Sequence, residues 1–562
     1  MSTVRSIVRR EAAEATGDWP SHWPPVLRRV HAARGSIDAG QAMPRLADLL
    51  PYAQLKGIDA AVALLVDAIA RNARIVVVGD FDCDGATACA VGVRGLRMLG
   101  ARQVAHAVPN RIVHGYGLTP GLVDDLAGME PDLLVTVDHG IACHAGIAAA
   151  KARGWQVLVT DHHLSGATLP AADAIVDPNQ PGDAFASKAL AGVGVMFYLL
   201  LALRAKLGVQ ADLASLLDLV AVGTVADMVP LDANNRALVG AGLRRLRAGQ
   251  GCAGLRALIE VSGRSEATLG TADIGYAIGP RINAAGRLED MDIGIECLLS
   301  DDMAQARELA AILHGINAER RGVQQQMTED AEIALQRLPD ENAPAVCLFD
   351  ADWHPGVVGL VASKLKERLH RPAIAFAPAE PGGAMLRGSA RSIPGFHIRD
   401  ALALVDARHP GLVPRFGGHA MAAGMSLDVD NLPAFREAFV QVATELLSEQ
   451  MLTDTLHSDG ELAADDFGIE TAIALRDGGH WGQGYGEPLF DGEFEVLSWR
   501  IVGERHVKLE LGRDGLRLNA IHFGGWDGEE PAGRQRIAYR LVPDDYRSAG
   551  SIQLVIIYRE QA

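Results

Sequence analysis

Three aspartates stand at alternate positions in the stretch IVVVGDFDCDG, namely Asp80, Asp82 and Asp84. Carboxylates crowded in this way repel one another, and burying them is costly unless a cation offsets their charge. The three side chains therefore predict a site for a divalent metal ion.

Two alternative readings of this stretch compete with a metal site. An EF-hand calcium loop opens with the same D-x-D-x-D-G letters, but it requires a preceding helix and a bidentate glutamate at its twelfth position. Here the twelfth position is Val91, and the residues before Asp80 are typical of a strand. A solvated acidic turn is the second alternative, and the carboxylates further along the chain weigh against it.

Further carboxylates and imidazoles follow two apolar runs, LLVTV at residues 133–137 and WQVLVT at residues 155–160. The polar residues directly after these runs are Asp138, His139, Asp161, His162 and His163. A last carboxylate, Asp227, lies in GTVADMVPL, a predicted turn after a helix at 213–222. Alone, Asp227 would be better explained by a structural role, but beside the other groups metal ligation is the better interpretation.

Buried parallel strands must position these groups. Residues 75–78, IVVV, form a continuous apolar run that ends at a glycine, which is typical of a strand covered on both faces. Predicted helices at about 59–70 and 86–100 flank this strand, and an alanine-rich helix separates the two later strands. In open α/β sheets ligands bind beyond the carboxyl ends of the strands. This order therefore predicts that the polar groups meet at one edge of a sheet.

Two polar, glycine-bearing segments are candidates for contact with an anionic substrate. They are PNRIVHGYG at residues 109–117 and IGPRINAAGR at residues 278–287, which is predicted to be a loop. Their candidate side chains are Arg111, His114, Tyr116, Arg281, Asn283 and Arg287. Arginine forks bind phosphate oxygens and a tyrosine ring stacks on a base or sugar. The structural alternatives are a half-buried tyrosine with a satisfied histidine, and a capped turn with solvated arginines.

A second globular region is predicted at residues 343–448. A charged helix at about 302–338 precedes it and either connects two lobes or lies on the surface. Within the region, LRGSARS is a predicted basic turn that carries Ser389 and Arg391. FGGHAMAAGMSL is a predicted glycine-rich loop around His419, whose backbone amides can meet an anion. Each signal is weak alone, and a structural role explains His419 equally well.

The last hundred residues change character. From Gly492 onward, five short strands predict a small β-barrel. An oligonucleotide-binding (OB) barrel fits this pattern, and a β domain used for packing or for binding partners is the alternative.

The bulk properties limit the class of protein. The 562 residues suggest three or four domains, and residues 1–45 are an N-terminal extension without an assigned function. The formal net charge of −18 argues against nucleic acid, unless metal ions neutralise the acidic centre and local arginine clusters bind the anion. The N-terminus lacks the apolar stretch of a signal peptide, and the run at 190–203 is too short to span a bilayer. The cysteines form no CxxC pair, so we expect reduced thiols in a cytoplasmic protein.

The ordered motifs GDFDCDG, VDHG, TDHH, GTVADMVPL and GGHAMAAG resemble the DHH phosphoesterase superfamily. HPGVVGLVASKL, GPRINAAGR, LRGSARS and the terminal β domain are similar to its RecJ family of bacterial single-strand-specific 5′-to-3′ exonucleases. The resemblance covers about residues 60–562. It implies an α/β fold with a parallel-sheet DHH catalytic domain, a connecting region with a long helix, a smaller α/β DHHA1-type substrate-binding domain and a C-terminal OB-like barrel. The expected ranges, in that order, are 46–235, 236–342, 343–450 and 455–562.

The resemblance also implies two divalent cations, Mn²⁺ or Mg²⁺. Asp82 and Asp138 would hold the first cation, with Asp80 in or near that site. The second would be held by Asp84, Asp138, His162 and Asp227, with Asp138 bridging the two. Many members of the superfamily place a histidine four residues before the aspartate that matches Asp82, and here that position is Val78.

The implied activity is metal-dependent hydrolysis of single-stranded DNA to 5′-mononucleotides, in DNA repair and recombination. Asp161 would support the ligands, His163 would face the scissile phosphate, and Tyr116 would stack on the strand. The residues expected to hold the 5′ end are Arg281, Ser389 and Arg391. The chain is expected to act as a monomer, with single-stranded DNA, single-strand-binding protein and repair or recombination factors as partners.

Two alternative functions stay open. Hydrolysis of short oligonucleotides, cyclic dinucleotides or pyrophosphate generally needs no extra β-barrel, so the last seventy residues favour a longer polymer. A catalytically inactive relative that binds single strands or acts as a scaffold tends to lose metal ligands. Here every expected aspartate and the histidine pair are present.

Overall fold

The computed structural model describes residues 5–11, 15, 17–111, 113–336, 343–544 and 550–562. The chain divides into two compact units. The catalytic unit, as we call the larger one, comprises Arg9–Asn317 and Ser458–Ala562, and the smaller unit comprises Met1–Val8 and Ala318–His457.

The strands in chain order are β1 (Arg5–Arg9), β2 (Ile75–Val78), β3 (Val104–Ala107), β4 (Leu133–Val137), β5 (Gln156–Thr160), β6 (Ala174–Val176), β7 (Val346–Phe349), β8 (Ala373–Pro378), β9 (Met385–Arg391), β10 (Arg415–Gly418), β11 (Ala422–Asp428), β12 (Asp454–Ser458), β13 (Phe490–Val502), β14 (His506–Arg513), β15 (Leu516–His522), β16 (Arg534–Pro543) and β17 (Ile552–Gln561).

The α-helices in chain order are α1 (Pro25–Ala32), α2 (Ala39–Ala42), α3 (Ile58–Ala70), α4 (Cys83–Met98), α5 (Pro120–Asp125), α6 (His144–Ala152), α7 (Gly192–Leu207), α8 (Leu217–Ala226), α9 (Ala233–Arg247), α10 (Ala253–Val261), α11 (Thr271–Asp273), α12 (Gly279–Leu288), α13 (Asp292–Leu299), α14 (Met303–Gln336), α15 (Val358–Leu369), α16 (Ile398–Arg408), α17 (Leu432–Leu446) and α18 (Ile469–Asp477). A π-helical turn, Ile274–Ile278, joins α11 to α12.

The catalytic unit is organised around a five-stranded sheet in the order β3-β2-β4-β5-β6. All four neighbouring pairs are parallel. The apolar runs predicted three of these strands, β2, β4 and β5. Val78 pairs with Thr136, Val137 with Thr160, and Thr160 with Val176, so the strands end close to one line. The residues that follow the strands therefore share one edge of the sheet.

The C-terminal strands close into a barrel in the order β13-β14-β15-β17-β16, with β16 paired to β13. This confirms the predicted OB-like barrel. Phe490, Phe494 and Tyr539 are buried inside it and belong to the same apolar cluster as Ile75 of β2. The barrel and the sheet thus share one continuous core within the catalytic unit.

The residues at 17–45 also pack into this unit, although the sequence suggested no role for them. His31 of α1 is fully buried, with Nδ1 2.7 Å from the Tyr485 hydroxyl and Nε2 2.8 Å from the Gly478 carbonyl. The Trp481 ring stacks on the imidazole at a centroid distance of 5.1 Å.

The smaller unit contains a five-stranded sheet in the order β10-β11-β9-β8-β7. Only β7 and β8 are parallel; the other pairs are antiparallel. Its core includes Phe376 of β8 and Phe435 and Phe439 of α17. A two-stranded sheet of β1 and β12 lies apart from this sheet.

Three predictions of local structure are wrong or incomplete. IGPRINAAGR is helical, as α12 and the end of the π-turn, rather than a loop. LRGSARS is strand β9 rather than a turn, and His419 lies in the turn of the β10–β11 hairpin. The long helix α14 is confirmed from Met303 to Gln336, and its predicted last residues, 337 and 338, lie outside the described residues.

Within the described ranges, no single helix has the length and apolarity needed to cross a bilayer. One sharply bent pair of segments, Leu46–Gln54 and Ile58–Ala70, passes by length and composition alone.

Candidate metal centre

Carboxylates and an imidazole from four chain segments converge beyond the sheet edge. Asp80 and Asp82 follow β2, Asp138 follows β4 and His162 follows β5, while Asp84 lies in the first turn of α4 and Asp227 caps the end of α8. Two groups of three are formed by Asp80, Asp82 and Asp138, and by Asp84, His162 and Asp227. Within each group the ligand atoms lie within 4.8 Å of one another.

Glycines allow helices α7 and α8 to approach the aspartates closely. A Cβ at Gly192 would lie 2.5 Å from Cβ of Asp138, and a Cβ at Gly223 would lie 2.8 Å from Oδ1 of Asp84. Asp138 itself has a left-handed backbone with φ of 65°, which few residues other than glycine adopt. The fold therefore holds this carboxylate in a strained backbone conformation at the site.

Helix N-termini supply fixed donors to two of the aspartates. Asp84 accepts hydrogen bonds from the backbone amides of Gly192 and Val193, at 2.6 and 3.0 Å, in the first turn of α7. Asp82 is the N-cap of α4 and accepts from the Gly85 amide at 3.0 Å. These bonds fix both carboxylates and use only some of their lone pairs.

Three buried atoms of the site have no hydrogen-bond partner among the described residues, namely Oδ1 of Asp80, Oδ1 of Asp138 and Nε2 of His162. The His162 Nε2 atom lies 3.1 Å from Asp138 Oδ1 and 3.6 Å from Asp227 Oδ2. Leaving such atoms unsatisfied in a protein interior costs free energy. Two divalent cations, one in each group of ligands, would satisfy these atoms, and oxygen donors with an imidazole suit Mn²⁺ or Mg²⁺. The residues present therefore fit the expected metal ions.

Burial and mutual repulsion change how these carboxyl groups titrate in the absence of metal. Burial, together with the neighbouring Asp82 charge, raises the pKa of Asp80 to about 8 and that of Asp84 to about 7. Burial, and next the charge of Asp84, also raises the pKa of Asp138 and of Asp227 well above the ordinary value. A compact group of carboxylates held in this way requires either protons or cations.

His162 is prepared to act as a neutral ligand. Burial, and next the nearby charge of His163, lowers the pKa of His162 to about 4. The Leu190 backbone interacts with the ring and opposes this shift only weakly. Nε2 of the neutral ring lies 3.1 Å from Asp138 Oδ1 and has no partner among the described residues, so this nitrogen is the one available to bind a cation.

Asp161 and His163 form a charged pair beside the ligands. Oδ1 of Asp161 accepts from the amide of His162 at 2.7 Å and from Nδ1 of His163 at 2.8 Å, and Oδ2 accepts from the Ile141 amide at 2.9 Å. Burial would raise the pKa of Asp161, but the hydrogen bond and charge of His163 outweigh it and hold this pKa well below its ordinary value. Burial likewise opposes the charge on His163, yet its bond to Asp161 raises the pKa of His163 to about 9. His163 is therefore an imidazolium at neutral pH.

Aromatic and basic side chains extend from His163 along the loop at 109–117. The Tyr116 ring, 48 % exposed, meets the His163 and Phe81 rings edge-on at centroid distances of 6.0 and 6.1 Å. The Arg111 guanidinium lies 4.1 Å from the centroid of the Phe81 ring. Both nitrogens of His114 are engaged, because Nε2 lies 2.8 Å from Asp125 and Nδ1 accepts from the Asn110 amide. Phosphate contact by Arg111 and His114 stays a prediction.

Helix α12 supports the site. Oδ1 of Asn283 accepts from the amide of Cys83 at 2.8 Å, between Asp82 and Asp84. Arg281 is buried and lies 3.2 Å from Nδ1 of His314, and Arg287 lies in the last turn of the helix. Asn283 thus fixes the turn between β2 and α4 that bears the aspartates. A substrate role for Arg281, Asn283 and Arg287 stays a prediction.

In the smaller unit, Ser389 and Arg391 of β9 lie beside the start of helix α15. A Cβ at Gly359 would lie 3.0 Å from both Arg391 Nη2 and Ser389 Oγ, and Arg391 Nη1 donates to Ser389 Oγ at 2.9 Å. A guanidinium, a hydroxyl and a helix N-terminus together favour an anion. His419 lies in the turn of the neighbouring hairpin, and a substrate role for it stays a prediction.

The sequence alone did not identify Asn179 or the Leu190 backbone. Asn179 donates from Nδ2 to the His162 carbonyl at 2.6 Å. Asn179 follows β6, a three-residue strand that was not predicted. A proline-containing turn directly after a short apolar run, DPN after AIV, is the signal that could have indicated a fifth strand end.

Comparison with family models places three known domains along the chain. The DHH family N-terminal domain matches residues 74–224, the DHHA1 domain matches residues 342–445, and the RecJ OB domain matches residues 458–558.

Full-length relatives and a solved structure agree with this order. The single-stranded-DNA-specific exonuclease RecJ of Dickeya dadantii is 48 % identical over 576 residues, covering 99 % of each chain. The RecJ of Escherichia coli is 46 % identical over 567 residues, covering 98 % of each. The crystal structure of RecJ in complex with Mn²⁺ from Thermus thermophilus has a TM-score of 0.81 at 32 % identity, covering 96 % of this chain and 76 % of that one. A Mg²⁺ complex of the same protein has a TM-score of 0.77.

Proposed function

This chain belongs to the RecJ family of single-stranded-DNA-specific exonucleases, and from that premise we propose that it removes mononucleotides from the 5′ end of single-stranded DNA with the help of two divalent cations. The observation that carries the proposal is the pair of ligand groups beyond the sheet edge, with buried lone pairs directed between them.

The two ions would be held by separate but adjoining sets of residues. The first set is Asp80, Asp82 and Asp138. The second is Asp84, His162 and Asp227, completed by Asp138, whose Oδ1 atom lies 3.1 Å from His162 Nε2. When bound, such a pair of ions supplies an activated water and stabilises the leaving oxygen of an in-line displacement at phosphorus.

The side chains around the ions have distinct tasks. His163, charged at neutral pH, donates a hydrogen bond to a non-bridging phosphate oxygen as negative charge develops there. Asp161 keeps His163 protonated and oriented through its 2.8 Å hydrogen bond. Arg111 adds a second positive charge on the same side of the site, above the Phe81 ring.

The preference for a 5′ end is assigned to the anion site of the smaller unit. Ser389, Arg391 and the N-terminus of α15 offer a hydroxyl, a guanidinium and backbone amides to a terminal phosphate. An inner phosphodiester carries one negative charge and a terminal monoester carries up to two, so this combination favours the end of a strand.

We assign the preference for single strands to an aromatic side chain that can stack only on an unpaired base. Tyr116 is half-exposed beside His163, and a paired base within a duplex cannot stack on it without leaving its neighbours. The closed barrel provides an additional strand-binding surface of the OB type.

Cellular context is a further part of the proposal. The six cysteines are free, which fits a reducing compartment such as the cytoplasm. We propose that the chain acts as a monomer in DNA repair and recombination, alongside single-strand-binding protein and other repair or recombination factors.

The test is digestion of matched substrates in the presence of Mn²⁺. We expect a 5′-labelled single strand to release labelled mononucleotide at once, while a 3′-labelled strand releases its label last and a blunt duplex is resistant. Equal digestion of duplex and single strand, or release of the 3′ label first, would contradict the proposal. Asp138→Asn is the control for contaminating nuclease and should show no digestion.

A further inference from the structure

The segment between β6 and α7 contacts the metal centre at several points. We call residues 177–191 the β6–α7 strap. It leads directly into α7, whose first amides, those of Gly192 and Val193, hold Asp84, and the Leu190 backbone within it interacts with His162. The strap is therefore linked to two of the proposed ligands without supplying any ligand of its own.

One side chain joins the strap to the main chain of a ligand. Nδ2 of Asn179 donates to the His162 carbonyl at 2.6 Å and to the Lys188 carbonyl at 3.2 Å. Lys188 lies two residues before Leu190. A single amide group thus links the backbone that carries the imidazole to the end of the strap that leads into α7.

Asn179 is itself held firmly. Its backbone amide donates to Oδ1 of the buried Asp177 at 2.6 Å, which forms a turn directly after β6. The last residue of β6, Val176, accepts a backbone hydrogen bond from Asp161 at 3.1 Å. The backbone of Asn179 is therefore fixed at the end of β6. The same strand end also holds Asp161, the residue next to His162.

We propose that Asn179 is a positioning residue of the metal centre, which sets the position of His162 by bridging its carbonyl to the strap. This inference rests on the proposed function only in so far as His162 binds an ion. Outer partners of metal-bound histidines typically contribute about 10- to 100-fold to metal affinity. Asn179 differs from the usual outer partner because it holds the ligand's main chain rather than its ring.

The matched control is the next residue in the chain. Gln180 is buried in the same turn and also donates from its side-chain amide to two backbone carbonyls, those of Lys56 and Ile175. Neither carbonyl belongs to a ligand or to the strap. Gln180→Ala therefore removes the same number and kind of hydrogen bonds without touching His162.

The experiment measures Mn²⁺ binding by calorimetry on the metal-free full chain, with circular dichroism and thermal unfolding as checks of the fold. In Asn179→Asp, a nearly isosteric change that replaces the donor by an acceptor, we expect one of two Mn²⁺ sites to weaken by about 10- to 100-fold and the other to change less than about threefold. Asn179→Ala should behave similarly, and Gln180→Ala should keep both affinities.

Three results would overturn the inference. The first is two unchanged Mn²⁺ affinities in folded Asn179→Asp or Asn179→Ala. The second is equal weakening in Gln180→Ala, which would show a general effect of the turn. The third is loss of the fold in both Asn179 variants, which would make the residue a requirement of folding. Absence of Mn²⁺ binding in the unaltered chain would instead refute the proposed function, so the two failures are distinguishable.

Discussion

Nε2 of His162 lies 3.1 Å from Oδ1 of Asp138, and both atoms are buried without a hydrogen-bond partner in the part of the chain that the structure describes. Burial holds the imidazole neutral, because it lowers the pKa of His162 to about 4. Two buried and unsatisfied ligand atoms are unfavourable in an empty interior and become favourable around a cation. The expected behaviour of variants follows from this relationship.

Asp138→Asn should have opposite effects on activity and on stability. Burial raises the pKa of Asp138 well above its ordinary value, so the metal-free fold must either hold a buried charge there or take up a proton. A neutral asparagine removes that cost, so the metal-free chain should unfold at a temperature roughly 1–2 °C higher, in line with a gain of about 1 kcal/mol in a unit of this size. Nuclease activity should fall by more than about 100-fold, because the carboxylate belongs to both ligand sets. Asparagine also tolerates the left-handed backbone at this position.

Scanning calorimetry with chelator and a nuclease assay with Mn²⁺ test this pair of effects. A variant that is less stable than the unaltered chain in chelator, or one that keeps its turnover, would contradict the assignment of Asp138.

The stability of the metal-free chain should fall as the pH rises. Burial, and next the charge of Asp82, raises the pKa of Asp80 to about 8 and that of Asp84 to about 7, whereas an unfolded aspartate titrates near about 4. The folded chain therefore retains protons that the unfolded chain has released. This contribution to the free energy of unfolding is complete below about pH 4 and is lost as the pH rises through the folded-state values.

Unfolding temperatures in chelator between pH 5 and pH 8 measure this effect. Asp80→Asn is the comparison, because it removes one of the shifted groups and should give a shallower decline. Parallel curves for the two proteins would show that Asp80 does not titrate as proposed.

Asp161→Asn should change the pH dependence of catalysis. Burial opposes the charge on His163, and the hydrogen bond to Asp161 outweighs it to raise the pKa of His163 to about 9. Without the carboxylate the effect of burial is opposed chiefly by the charges of Asp227 and Asp80, so the pKa of His163 should fall. The rate at neutral pH should drop by roughly 100-fold, and the alkaline limb of the pH–rate profile should move to lower pH.

Asp177→Asn is the matched control, because Asp177 is another buried carboxyl at a strand end and makes no hydrogen bond to His163 in the described structure. Its profile should keep the alkaline limb in place. An Asp161→Asn profile of unchanged shape would refute the role given to the pair.

Arg391→Ala should weaken the recognition of a 5′-terminal phosphate. The guanidinium lies beside Ser389 and the first turn of α15, so its loss should raise the KM for a 5′-phosphorylated strand by about 10-fold or more, with a smaller change in kcat. The KM for a 5′-hydroxyl strand should change little. Lys364→Ala removes an exposed positive charge from α15 itself and should leave both values intact.

An equal loss of affinity for both kinds of strand end in Arg391→Ala would exclude a role in selecting the 5′ phosphate.

The strand ends could be predicted from the sequence because a parallel sheet has a simple geometry. IVVV, LLVTV and QVLVT are continuous apolar runs, and each is followed at once by aspartate or by glycine and aspartate. Since parallel strands share a carboxyl edge, the polar residues after them had to meet. Strand β6 was missed because it has only three residues, and β3, VAHA, was missed because it contains a histidine and buries only its first residue.

Helix α12 was mistaken for a loop because its sequence contains two glycines and a proline. Pro280 lies in the first turn, where a missing amide hydrogen is harmless. Gly286 is required by packing, since a Cβ there would lie 1.9 Å from the Phe81 carbonyl. Glycine is therefore required at this position, but because of a tertiary contact rather than because of a turn.

Strand β9 was mistaken for a turn for the same reason, because its glycine was interpreted as a turn signal. Gly388 stands in mid-strand because a Cβ there would lie 2.4 Å from the Phe376 ring, a contact that sequence pattern cannot show. Asn179 was missed for a related reason. It lies 17 residues from His162 along the chain, and its role depends on a fold that brings β5 and the strap together.

The most direct test of the central claim is the number of Mn²⁺ ions bound per chain, measured by calorimetry and elemental analysis after gel filtration. We predict two ions for the unaltered chain, one each for Asp82→Asn and Asp227→Asn, and none for the double variant. A single ion in the unaltered chain, or one ion that survives in the double variant, would contradict two adjoining sites built from these residues.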